Sequence, residues 1–167
     1  MKKLLIVYFS NTNGNTEKIA KKLQAIAGGE IERILTKVPY SDDYDSVVEL
    51  GQKEVNEKFC PDLVALQNDV KDYDVIAIGT PTWWYTMAPA VRSFMSAHDF
   101  TGKTVIPFMT NAGWRGHVIK DMKTLAKLGT VMFDKEVLFE SSGGPKQETP
   151  ESEITSWANE IKSFLES

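Results

Sequence analysis

Cysteine occurs once in the 167 residues, as Cys60. An intramolecular disulfide and any cysteine-rich zinc site are therefore excluded, and a reducing compartment suits such a chain. Histidine is nearly as scarce: His98 and His117 stand far apart in sequence, which argues against a metal centre. Basic excess is missing too. With 19 Lys and Arg against 23 Asp and Glu, the net charge of -4 argues against general affinity for nucleic acid or anionic membrane. It leaves room for a small-molecule site or a basic protein partner. Long apolar runs are also absent. After Lys2 and Lys3 the first run extends only from Leu4 to Phe9, too short for a signal-peptide core and far short of a membrane span, so a cytoplasmic location is expected. No repeat, low-complexity tract or linker divides the chain, and residues 1–167 read as a single domain.

What is present is the composition of a globular protein, 42% hydrophobic and 25% charged, sufficient for a core without covalent staples. Apolar runs recur at Leu4 to Phe9, Val75 to Ile78, Val105 to Met109 and Val131 to Phe139, the last with charges inside it. Unbroken runs, unlike alternating ones, suit strands buried on both faces of a parallel sheet. A further strand is expected over Ile31 to Leu35. Between the strands lie helical stripes: Ile19, Leu23 and Ile26; Met87, Val91 and Phe94; Val118, Met122 and Leu125; Ile154, Trp157 and Ile161. A helix carrying Val47, Val48 and Val55 is expected to open at Ser41 to Tyr44. Thr86 ahead of Pro89, and Thr149 ahead of Pro150, read as helix starts. Alternation of strand and helix implies right-handed crossovers and a doubly wound α/β fold with five strands.

Ligands of such sheets bind beyond the carboxyl ends of the strands. Three loops qualify. Ser10 to Thr16, reading SNTNGNT, offers hydroxyls, backbone N–H groups around Gly14 and the positive end of the following helix, which together can cradle a phosphate. No lysine follows the glycine, so it is not a P-loop, and Gly14 stands alone, so it is not a dinucleotide fingerprint. Taken by itself the stretch could be a capped turn. The second loop, Thr80 to Tyr85, places Trp83, Trp84 and Tyr85 side by side where loops are ordinarily polar, and Trp114 lies in the third, Thr110 to His117. A planar ligand stacked beside a bound phosphate explains the loops together, although aromatics there can also cap a core or meet a partner. His117 reads as a solvated or capping residue and Cys60 as structural or incidental.

"VYFSNTNGNTEKIA" resembles the phosphate-loop signature of flavodoxin-like proteins, and "IGTPTWWYTMAPAVRSF" is similar to their second flavin loop in the branch with a Trp-Trp pair. "TNAGWRGHVI" is similar in place and glycine content to that branch's third loop. The resemblance spans essentially the whole chain. It implies a parallel sheet in the order 2-1-3-4-5 and FMN as cofactor. It also implies that Ser10, Asn11, Thr12, Asn13, Gly14, Asn15 and Thr16 hold the phosphate, Asn13 being an extra residue relative to the signature. Pro81, Thr82, Trp83, Trp84 and Tyr85 would border the isoalloxazine, and Thr110, Asn111, Ala112, Gly113 and Trp114 would close the other side. No protein residue is then expected to act as nucleophile or general base, since the flavin supplies the chemistry.

Two functions follow from the resemblance. One is an electron carrier for a redox partner protein. The other is an oxidoreductase passing electrons from NAD(P)H to a small-molecule acceptor such as a quinone. Aromatics on both flavin faces would leave no room for a nicotinamide and favour the carrier. The absence of glycine from Thr80 to Tyr85 points the other way, because related proteins use a glycine there to let a peptide turn over during one-electron chemistry.

Overall fold

A computed structural model describes residues 1–11 and 14–167; Thr12 and Asn13 lie outside the described residues. The sheet begins with β1 (Leu4–Tyr8), followed by α1 (Asn15–Ala27), β2 (Glu30–Arg33) and α2 (Tyr44–Asn56). Then come β3 (Val75–Trp83), a two-residue β4 (Thr86–Met87), α3 (Pro89–Ala97), β5 (Thr104–Asn111) and α4 (Val118–Leu125). The chain closes with β6 (Thr130–Val131), β7 (Lys135–Leu138) and α5 (Glu151–Glu166). Strands run β2-β1-β3-β5-β6 with parallel pairing throughout, and β7 continues alongside β5 where β6 stops. The expected five-strand order is therefore present, with its last strand in two pieces.

The parallel strands bury both faces, and alternation sorts their side chains. Leu5 and Val7 of β1 join Ile76, Ile78, Val105 and Met109 against α3 and α4, whereas Leu4, Ile6 and Tyr8 join Val75, Ala77, Ile106 and Phe108 against α1 and α5. Trp157 sits in the second layer, its ring 5.5 Å from Phe108 and its indole N–H donating to Phe133 O at 2.6 Å. Phe133 has a φ of 55°, a left-handed conformation that interrupts the run from Val131 to Phe139 and splits the edge strand.

Several local expectations shift. Thr86 lies in β4, paired with Trp83, rather than capping a helix, so α3 starts at Pro89 and Met87 is buried from a strand. Ala88 N–H at the start of α3 instead donates to Thr80 Oγ1 at 3.0 Å. Pro150, not Thr149, is the N-cap of α5, and Thr149 Oγ1 accepts from Leu138 N–H at 2.8 Å. In α2, Asp43 caps the helix by accepting from Ser46 N–H, but the buried residues are Gly51 and Glu54 rather than the valines. Gly51 lies against the Trp83 ring and Glu54 is bonded to Tyr40.

Candidate functional site

A cleft of about 160 Å³ opens beyond the carboxyl ends of β1, β3 and β5, at the point where the strand order reverses. Asn11, Asn15, Thr16, Pro81, Thr82, Trp83, Thr110, Asn111, Ala112, Phe139 and Gly143 line it.

On its polar side, Gly14 takes φ 69° and ψ 26° at the N-cap of α1, a left-handed turn that suits glycine. Glycine has no side chain to cap a helix, and the helix recruits one from just beyond β1: Glu17 N–H donates to Ser10 Oγ at 3.3 Å. Thr16 and Thr110 share a buried hydroxyl–hydroxyl bond of 2.9 Å that ties α1 to β5. Thr82 Oγ1 donates to Thr110 O at 3.0 Å, tying β3 to the same point. Asn15 Nδ2 donates to Gly144 O at 3.1 Å, while its Oδ1 is buried with no hydrogen-bond partner among the described residues. A buried acceptor left this way is costly, and a ligand hydroxyl in the cleft would satisfy it.

A cation stands behind this loop although none occurs within it. Arg33 Nη2 donates to Ser10 O at 2.7 Å, and Glu17, which also receives Tyr8 Oη–H at 3.1 Å, lies 3.6 Å from Arg33 Nη1. The bond from Lys21, with those from Tyr8 and the charge of Arg33, holds the Glu17 carboxyl below its ordinary range. Burial and then the Glu17 carboxylate push the Tyr8 hydroxyl up to about 12.

On the aromatic side only Trp83 of the Trp-Trp-Tyr run reaches the cleft. Trp84 and Tyr85 form the two-residue turn between β3 and β4, at φ 48° and 69°, and are 38% and 54% exposed. Left-handed conformations that the glycine-free sequence makes costly are thus already present in the resting turn. Trp84 points to α2, its Nε1–H donating to Val48 O at 3.0 Å. The third loop packs on this turn: His117 N–H donates to Tyr85 O at 2.7 Å, and at Gly116 a side chain would collide with the Tyr85 backbone. Gly113 and Trp114 do not line the cleft, and Trp114 is 71% exposed. His117 pairs with Asp121, which also accepts from Thr86 Oγ1 at 2.5 Å.

Asn11, Asn15, Thr16, Pro81, Thr82, Trp83, Thr110, Asn111 and Ala112 are thus brought together, with Ser10 and Gly14 supporting them from behind. Thr12 and Asn13 lie outside the described residues. Sequence reading missed Phe139 and Gly143, which come from a fourth loop after β7. The signal was available in Ser141-Ser142-Gly143-Gly144, small residues directly following a strand. It also missed Arg33, whose contact joins residues distant in sequence.

A family model described as flavodoxin matches residues 3–160. Among solved structures, one from Bacteroides eggerthii DSM 20697, assigned to the flavoproteins, is 28% identical with a TM-score of 0.77, over 96% of this chain and 98% of that one. A flavoprotein in complex with FMN from Lactobacillus acidophilus NCFM is 24% identical and shares the fold, with a TM-score of 0.68 over 81% of this chain and 93% of that one. Curated relatives include an NAD(P)H dehydrogenase (quinone) of Geotalea uraniireducens, 29% identical over 57% of this chain and 47% of that protein. Another, NAD(P)H dehydrogenase (quinone) 3 of Rhizobium meliloti, is 33% identical over 61% of this chain and 45% of that protein. The chain spans about half the length of these curated relatives.

Proposed function

Because the chain belongs to the flavodoxin family, we propose that residues 1–167 form one FMN-binding domain that transfers electrons in the cytoplasm through the bound flavin. The observation that carries this reading is the cleft itself, with buried hydroxyls at the start of α1 on one side and the Trp83 indole on the other. The first-turn N–H groups of α1 suit a phosphate. The partnerless Asn15 Oδ1 suits a hydroxyl of the ribityl chain. Thr82, Trp83, Asn111 and Ala112 would border the ring. When bound, FMN supplies the redox chemistry; the residues described here hold and orient it and keep water from one side.

Of the two roles, direct reduction by NAD(P)H gains support from the position of the aromatics. Hydride transfer needs a nicotinamide stacked on the ring, and Trp84, Tyr85 and Trp114 stand outside the cleft rather than over it. No general acid or base is required of the chain. The test is anaerobic mixing of the FMN-loaded protein with NADH and with NADPH, followed by visible absorbance. Rapid bleaching of the flavin bands without another protein is expected. Bleaching only when a reductase protein is added would favour the carrier role, and a purified protein that stays colourless after FMN addition would overturn both.

A further inference from the structure

Helix α2 buries a glycine and a carboxylate where an amphipathic helix would normally bury aliphatic side chains. Glycine weakens a helix interior, and a buried carboxylate is costly unless partnered. Gly51 lies against the Trp83 ring, and Glu54 is bonded to Tyr40, whose ring in turn meets Trp83. Glu54 Oε2 accepts from Tyr40 Oη–H at 2.9 Å, and the Tyr40 ring stands edge-on to Trp83 with centroids 5.1 Å apart. Phe9 closes the box, 5.6 Å from Trp83 and 5.9 Å from Tyr40. At Gly51 a Cβ would lie 3.2 Å from Trp83 Cε3 and 3.7 Å from Trp84 Nε1. One turn earlier, Val48 O accepts the Trp84 indole N–H. Residues 48, 51 and 54, three apart, share a helix face, and that face grips the tryptophan pair.

Resting on the flavin reading of the cleft, we infer that the 48–51–54 face of α2, together with Tyr40, is a positioning clamp. It fixes the Trp83 indole as a rigid wall of the cleft and so sets the affinity for the flat ring of the ligand. Trp83 belongs to both the clamp and the cleft lining, whereas Tyr40, Gly51 and Glu54 line no part of the cleft. A wall already held in its bound geometry loses less freedom when a ring stacks on it. Gly51 supplies the space the indole needs, and the Tyr40–Glu54 bond holds the edge contact that stops it from rotating.

The test uses the full chain as apoprotein, titrated with FMN and with riboflavin. Tyr40→Phe keeps the ring but cuts the tie to Glu54, and Gly51→Ala pushes on the indole. Both should weaken the two flavins by the same factor, about three- to tenfold, the range an aromatic edge contact spans. Glu54→Ala, which removes the acceptor of the Tyr40 hydroxyl, should weaken both flavins by the same factor as Tyr40→Phe, and Glu54→Gln, which retains an acceptor, should weaken them less. Alanine is the better helix residue but its Cβ crowds Trp83, so Tm is measured for Gly51→Ala and binding is compared at a temperature where parent and variant are both folded. A second readout needs no ligand: Tyr40→Phe should change the near-ultraviolet circular dichroism of the tryptophans, and the change should vanish in a Trp83→Phe background. If Tyr40→Phe and Gly51→Ala bind both flavins like the parent, or if the spectral change survives without Trp83, the clamp is overturned. If the parent binds neither flavin, the cofactor reading falls and the spectral comparison alone decides the clamp.

Discussion

Around Thr16 the cleft is bounded by hydroxyls, an amide and helix N–H groups, whereas at Trp83 it is bounded by one indole that Phe9 and Tyr40 meet edge-on and α2 backs. The polar side is centred on one local stretch that Thr110 and Gly144 then tie to the rest of the fold. Ser10 lies two residues beyond β1, Gly14 caps α1 and Thr16 sits in its first turn, so several of the polar groups come from one short stretch of chain. The aromatic side is assembled from a distance: Phe9, Tyr40, Gly51, Glu54 and Trp83 meet only once the fold has formed. A polar cradle acts through a few directional bonds, each costly to leave unmade, while an aromatic wall acts through area and rigidity. The two sides should therefore respond differently to ligands that share a ring and differ in a phosphate.

The largest expected effect comes from removing the phosphate. Riboflavin should bind the apoprotein at least about a hundredfold more weakly than FMN, since several charge-assisted hydrogen bonds are lost together, roughly 3 kcal/mol. Fluorescence titration measures both constants. Next comes the ring side: Trp83→Ala should cost both flavins about 1–3 kcal/mol, the usual worth of an aromatic stacking platform. Unequal losses would show that Trp83 also serves the phosphate side.

A smaller effect belongs to Glu54. Burial raises its carboxyl above the ordinary 4.5, against the pull of the Tyr40 hydroxyl. The folded protein then holds a proton that the unfolded chain releases, so this group's contribution to stability is fully present below about pH 4.5 and falls as pH rises through the raised value. Glu54→Gln removes that dependence. Denaturant titrations from pH 4 to pH 8 should show the variant gaining on the parent as pH rises, and parallel curves would contradict the assignment. Smallest of all, Trp114→Ala should leave stability within about 0.5 kcal/mol, because the exposed indole packs little against the fold.

The same contrast explains what the sequence disclosed. β1, β3 and β5 were legible because strands buried on both faces are apolar without alternation. The polar loop was legible because its residue types and its place after β1 carry the information together. Trp83, Trp84 and Tyr85 were legible as a cluster but not as three different orientations. Alternation along β3 and the left-handed turn at Trp84 and Tyr85 send one ring to the cleft, one to α2 and one to the surface. The valines of α2 suggested an aliphatic stripe, since nothing local announces that its partner is a tryptophan. The break at Phe133 was hidden for the same reason: its carbonyl is engaged by Trp157, distant along the chain.

The central claim is a division of labour between the two sides, and its most direct test is the ratio of the riboflavin and FMN dissociation constants, measured by titration in the parent, Thr16→Val and Trp83→Ala. Thr16→Val removes the hydroxyl shared with Thr110. It should weaken FMN by about tenfold with little change for riboflavin, lowering the ratio by that factor. Trp83→Ala should weaken both and leave the ratio unchanged. A ratio that stays at the parent value in Thr16→Val, or falls in Trp83→Ala, would contradict the division.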